Sequence, residues 1–146
     1  LLGSILALEA CKEPKKENPT SDGASTLVEC NRNLTEAQVE RHFNPPVAAR
    51  NYAYPNIAVY TALEPFWPEY KSLSGQLNEM DIDIQPDSNK VYNQDLITFN
   101  SFTTVSLKLV YNDTIVSNYR KEQLDRYEEK IYELNREGAW NSVEKK

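Results

Sequence analysis

Asn44-Pro45-Pro46-Val47-Ala48-Ala49-Arg50-Asn51-Tyr52-Ala53-Tyr54-Pro55-Asn56-Ile57-Ala58-Val59-Tyr60-Thr61-Ala62-Leu63 is the stretch whose reading decides the fold. An asparagine side chain can accept an unpaired backbone N–H at a helix start, and proline fits the first turn, where its missing N–H costs nothing. A helix is therefore expected from Asn44. Val47, Ala48, Tyr52, Ala53, Ile57, Ala58, Tyr60 and Leu63 carry few charges among them. Much of the circumference can then be buried, which is the pattern of a central helix. Pro55 removes one rung of the ladder, so a kink or break is expected between Asn51 and Pro55. Pro65 and Pro68, around Phe66 and Trp67, take the chain out of the helix.

On the N-terminal side, Leu34, Val39 and Phe43 predict a short helix over 34–43 with Asn33 as its cap. On the C-terminal side, a turn near Gly75 or Asn78 leads to an acidic loop over 80–89. A second long helix is expected over 94–111, from Leu96, Ile97, Phe99, Val105, Leu107, Leu109 and Val110. Thr98, Thr103 and Thr104 weaken it, because β-branched side chains lose rotamer freedom in a helix. The clearest periodicity runs from Asp113 or Thr114 to about Glu137, with Ile115, Tyr119, Leu124, Tyr127, Ile131 and Leu134 on one face and charges on the other. Gly138 can end that helix, and residues 139–146 begin another. The fold class is all-α.

The chain has 146 residues, 40% of them hydrophobic, with a net charge of −6 and a pI near 4.9. That length supports one domain with a core. An acidic surface without a basic aromatic stripe argues against nucleic acid as a partner. Leu1 to Leu8 form an apolar run too short to span a bilayer and read as the tail of a signal peptide. Leu8-Glu9-Ala10-Cys11 resembles a bacterial lipobox, with Glu9 departing from the usual small or apolar residue, and makes Cys11 the candidate lipid-attachment site. The polar, proline-rich residues that follow read as a flexible tether. The expected organisation is a signal remnant over 1–11, a linker over 12–32 and a helical portion over 33–146. The expected location is exported, as a periplasmic or outer-membrane lipoprotein. Without lipid on Cys11, a Cys11–Cys30 disulfide is the alternative.

Chemistry-bearing residues are few. His42 stands beside Phe43 with no cysteine or carboxylate at ligand spacing, and reads as structural or exposed. Asp81, Asp83 and Asp87 alternate with Ile82 and Ile84 and lack the glycine and terminal glutamate of a calcium loop, so a solvated acidic loop is expected. No metal site is assigned. Arg50 is the residue that draws the eye. A cation on an apolar helix must find an anion, a carbonyl or a route to water, so Arg50 is a candidate for a structural ion pair or for anion binding. Tyr52, Tyr54 and Tyr60 read as amphipathic packing residues.

The run from Phe43 to Ala58, with Tyr60 and then Pro68-Glu69-Tyr70-Lys71-Ser72-Leu73-Ser74-Gly75-Gln76-Leu77-Asn78, resembles bacterial lipoproteins related to vanadium-dependent haloperoxidases. These belong with the type 2 phosphatidic acid phosphatase (PAP2) superfamily. The resemblance implies the N-terminal helices of a larger helical bundle. In that bundle a pocket of lysine, arginines and histidines binds phosphate or vanadate, and its cations neutralise a rearranging tetrahedral anion. The superfamily's lysine-arginine-proline, proline-serine-glycine-histidine and serine-arginine-histidine motifs are absent from these 146 residues. No catalytic residue is therefore carried over, and no cofactor is assigned to this portion; vanadate belongs to the full-length protein if it is a haloperoxidase. The expected partners are the C-terminal catalytic part of the same chain and, through Cys11, a membrane. The alternative reading is a non-catalytic helical lipoprotein that binds a partner or ligand through the aromatic surface at Phe66, Trp67 and Tyr70.

Overall fold

The structure is a computed structural model that describes residues 23–90, 92–111 and 113–136, with residues 130–136 described by their backbone alone. The described residues form four α-helices: α1 (Gly23–Glu40), α2 (Pro45–Leu63), α3 (Gln94–Leu109) and α4 (Thr114–Arg136). A 3-10 turn over Glu64–Phe66 follows α2, and no strand occurs among the described residues. The all-α expectation holds. None of these helices is long and apolar enough to cross a membrane.

The start of α2 is as read from the sequence: the Asn44 side chain accepts from the Val47 N–H at 3.1 Å, and Pro45 opens the first turn. Two expectations for this helix need correction. It is not broken at Pro55, which lies buried inside an uninterrupted helix. Nor is much of its circumference buried: Ala49, Arg50, Ala53 and Tyr54 are exposed, and the buried stripe is Asn51, Pro55 and Val59, with Thr61 beside it. The central element is α3. It packs against each of the other three helices, α1 also meets all the others, and α2 and α4 flank this pair with no contact between them among the described residues.

Helix α3 fills the core with Phe99 and Phe102, and with the small polar residues Thr98, Thr103 and Ser106. Small side chains let neighbouring helices approach closely. The Thr103 hydroxyl keeps its hydrogen-bonding capacity by donating to the Phe99 carbonyl at 2.8 Å. Around α3 lie Cys30, Leu34 and Ala37 of α1, Val59 of α2, and Val116 and Tyr119 of α4.

Helix α1 begins at Gly23, ten residues before the expected helical portion, so residues 23–32 are helix and not tether. Asn33 does not cap it; its Nδ2 donates to the Glu29 carbonyl from within the helix. Tertiary packing of Leu27, Cys30 and Leu34 against α3 explains the extension, since such contacts override weak local propensity. The helix stops through paired reverse bonds. The Phe43 N–H reaches the Gln38 carbonyl, the His42 N–H reaches the Val39 carbonyl, and His42 takes a left-handed φ of 53°.

Between the end of α1 and the start of α4 runs an ion pair of the exposed Arg41 with the buried Asp113. Asp113 is 1% exposed; its Oδ2 accepts from Arg41 Nε at 2.7 Å, and its Oδ1 accepts from the Ile115 N–H at 2.8 Å. The carboxylate thus caps α4 and fastens it to the end of α1.

Candidate functional site

A concavity lies between α2 and α3. Tyr54, Ile57, Ala58, Thr61 and Ala62 form one wall, and Asn100, Ser101, Thr104 and Val105 the other. Met80, Ile82 and Ile84 of the acidic loop lie across it, enclosing about 540 Å³. Most of the lining is apolar, while Ile82 and Ile84 are each at least 40% exposed. At its polar edge, Arg120 donates to Thr104 Oγ1 at 2.8 Å and to Asn100 Oδ1 at 2.7 Å. That arrangement can receive an apolar surface. It offers no nucleophile with an adjacent base, and acid–base or nucleophilic chemistry needs such a pair.

A second pocket, of about 350 Å³, is bounded by Leu27 of α1, by Asn56, Val59, Tyr60 and Leu63 of α2, and by Glu64, Trp67 and Tyr70 of the segment after it. A reciprocal amide pair closes its α1 side: Asn31 Nδ2 donates to Asn56 Oδ1 at 3.3 Å, and Asn56 Nδ2 to Asn31 Oδ1 at 3.1 Å. This places Trp67 and Tyr70 of the expected aromatic surface beside Tyr60, while the Phe66 ring packs on Tyr92 at 5.3 Å.

The individual residues fall as follows. Cys11 lies outside the described residues. Arg50 is exposed on the outer side of α2 and makes no ion pair or side-chain hydrogen bond among the described residues, so of its three outlets it takes the route to water. His42 is exposed at the stop of α1, its Nδ1 2.8 Å from the Glu40 carbonyl. Asp81, Asp83 and Asp87 face separate partners in Ser74, Gln85 and Lys90. No group of three or more metal-ligating side chains occurs among the described residues. The Tyr52 hydroxyl donates to Thr35 and the Tyr60 hydroxyl to the Lys71 carbonyl, both at 2.8 Å, which fits amphipathic packing.

Cys30 is a free, buried thiol 3.9 Å from the Tyr119 hydroxyl. Burial pushes the thiol up to about 11, the Tyr119 hydroxyl lowers it in part, and nearby Glu29 raises it further. Burial likewise raises Tyr119, and raises Tyr127 with help from Asp95. This is the environment of an inert thiol, since the thiolate is the reactive form.

Sequence reasoning missed a set of buried polar side chains. Both amide atoms of Gln38 and of Asn51 are enclosed without a hydrogen-bond partner among the described residues, as are Asp95 Oδ1, Thr98 Oγ1 and Ser106 Oγ. The available signal was spacing: Asn51, Pro55 and Val59 share one face of α2 at intervals of four, and Asp95, Thr98 and Phe102 share one face of α3. Comparison of the chain with known protein families, with characterised proteins and with solved structures finds no match.

Proposed function

We propose that this chain is the N-terminal helical portion of an exported, lipid-anchored enzyme of the PAP2 superfamily, a phosphatase or a vanadium-dependent haloperoxidase. Within that enzyme it is scaffold. The reading rests on the resemblance carried by residues 43–58, Tyr60 and residues 68–78, which lie in α2 and the segment leaving it. The observation that carries it is the apolar groove between α2 and α3. Tyr54, Ile57, Ala58 and Ala62, all within or beside that run, turn toward the groove rather than into the four-helix core. An open apolar groove beside a helix pair suits closure by further helices, here those of the catalytic bundle in the same polypeptide.

The anion-binding lysine, arginines and histidines then come from that further part, because their motifs are absent from these residues. Vanadate is the cofactor if the enzyme is a haloperoxidase. Cys11 carries the lipid. The reading frame beyond Lys146 tests the proposal: it continues and encodes the three motifs, whereas a stop codon there overturns it. The full-length product is expected either to release phosphate from a generic ester or to brominate a phenolic dye with vanadate and peroxide. Residues 1–146 alone are expected to do neither, and turnover by them would remove the scaffold reading. Metabolic labelling with a radioactive fatty acid, lost in Cys11→Ser, tests the anchor.

A further inference from the structure

The pocket formed by Tyr60, Trp67, Tyr70 and Glu64 has the makings of an aromatic box, and its walls are held by specific bonds. Glu64, Trp67 and Tyr70 are brought together by two successive turns: the Trp67 N–H donates to the Glu64 carbonyl at 2.9 Å, and the Tyr70 N–H to the Trp67 carbonyl at 3.0 Å. Tyr60 and Tyr70 meet edge to face, with ring centroids 6.5 Å apart and planes at 85°, so two walls stand nearly perpendicular. The Tyr60 ring is anchored at its far end by the hydroxyl's bond to the Lys71 carbonyl. Leu27, Val59 and Leu63 make the rest of the lining apolar.

We propose that this pocket binds a quaternary ammonium group, of the kind carried by choline and betaine. Aromatic faces attract such a cation through their quadrupoles, and apolar walls accept its methyl groups, which no hydrogen-bonding pocket does. The charge it brings has a counterpart. Glu64 is half-buried at the pocket and makes no ion pair among the described residues. A volume of about 350 Å³ suits a small ligand, since small-molecule sites run from about 300 to 1,000 Å³. This proposal stands apart from the scaffold reading, because it needs neither the catalytic motifs nor the groove between α2 and α3.

Trp67 supplies the readout. In a Trp140→Phe background, which leaves Trp67 as the sole tryptophan, the 146-residue chain is titrated with tetramethylammonium, choline and 3,3-dimethyl-1-butanol, the neutral carbon isostere of choline. Tetramethylammonium and choline are expected to shift Trp67 fluorescence, with the neutral isostere about tenfold weaker. Glu64→Gln should weaken choline about fivefold with helicity unchanged by circular dichroism. Tyr70→Phe, which keeps the ring, should bind nearly as well as the parent, whereas Tyr70→Leu should not. Phosphatidylcholine vesicles against phosphatidylglycerol vesicles identify the source: choline-competed flotation with the former assigns the group to a lipid headgroup, and titration by free choline alone assigns it to a soluble ligand. Equal binding of choline and the neutral isostere, or binding of neither, overturns the proposal. So does self-association that Trp67→Ala abolishes and choline leaves untouched, since a second copy would then be the occupant.

Discussion

At the scale of single residues, Cys30 shows how placement decides chemistry. Its thiol sits under α4 beside Tyr119, and burial keeps it protonated well above the ordinary range. A group raised in the folded state holds its proton more tightly there than in the unfolded chain. Its contribution to stability is therefore complete below about pH 9 and is lost as pH rises toward about 11. Tyr119 and Tyr127, also raised, extend the loss to higher pH. The urea midpoint should fall between pH 9 and 11, and Cys30→Ala should flatten that fall while lowering the plateau below pH 9. A midpoint with the same slope in both proteins would show that the thiol is not the titrating group. In the folded chain Cys30 should also resist iodoacetamide and react only on unfolding.

At the scale of elements, the buried carboxylate of Asp113 carries two jobs, and they can be separated. Arg41→Ala leaves that carboxylate enclosed without its cation and is expected to cost about 2 kcal/mol, below the usual range for a buried pair because Arg41 itself is half-exposed. Asp113→Asn keeps an oxygen for the Ile115 N–H, so it should retain the cap and lose less; chemical denaturation of both variants measures the difference. The starts of α2 and α4 were legible because Asn44 and Asp113 declare themselves by type and position. The first half of α1 was not. Gly23, Ser25 and Thr26 are poor helix formers, and tertiary contacts, among them the side-chain hydrogen bond between Thr26 and Tyr127 of α4, hold them in one. The rank of α3 over α2 was hidden for a related reason. Beside Phe99 and Phe102, its buried positions are threonine, serine and aspartate, which a hydropathy reading assigns to solvent, whereas the alanines and tyrosines of α2 look buried and are largely not.

At the scale of the whole molecule, α1 and α3 form a filled centre, and the outer face of the α2–α3 pair is left apolar and open. A hydrophobic dye such as ANS should bind there, and Ile57→Glu should abolish most of that binding while the helical circular dichroism signal stays within a tenth of the parent's, roughly. Undiminished dye binding by the variant would move the apolar surface elsewhere, toward the Trp67 pocket. Both candidate sites were partly legible. Phe66, Trp67 and Tyr70 drew notice as an aromatic surface, but Tyr60 and Glu64 join it only through the turns that follow α2, and no spacing rule discloses the loop that lies across the groove.

The early start of α1 also changes how far the protein can stand from a surface. With helix already present at Gly23, a lipid at the proposed site Cys11 would be joined to the folded block by at most about 40 Å of chain at full extension, against about 75 Å if the linker had run to residue 32. Were Cys11 to carry the proposed lipid, that bound would hold the folded block within roughly one domain diameter of the bilayer.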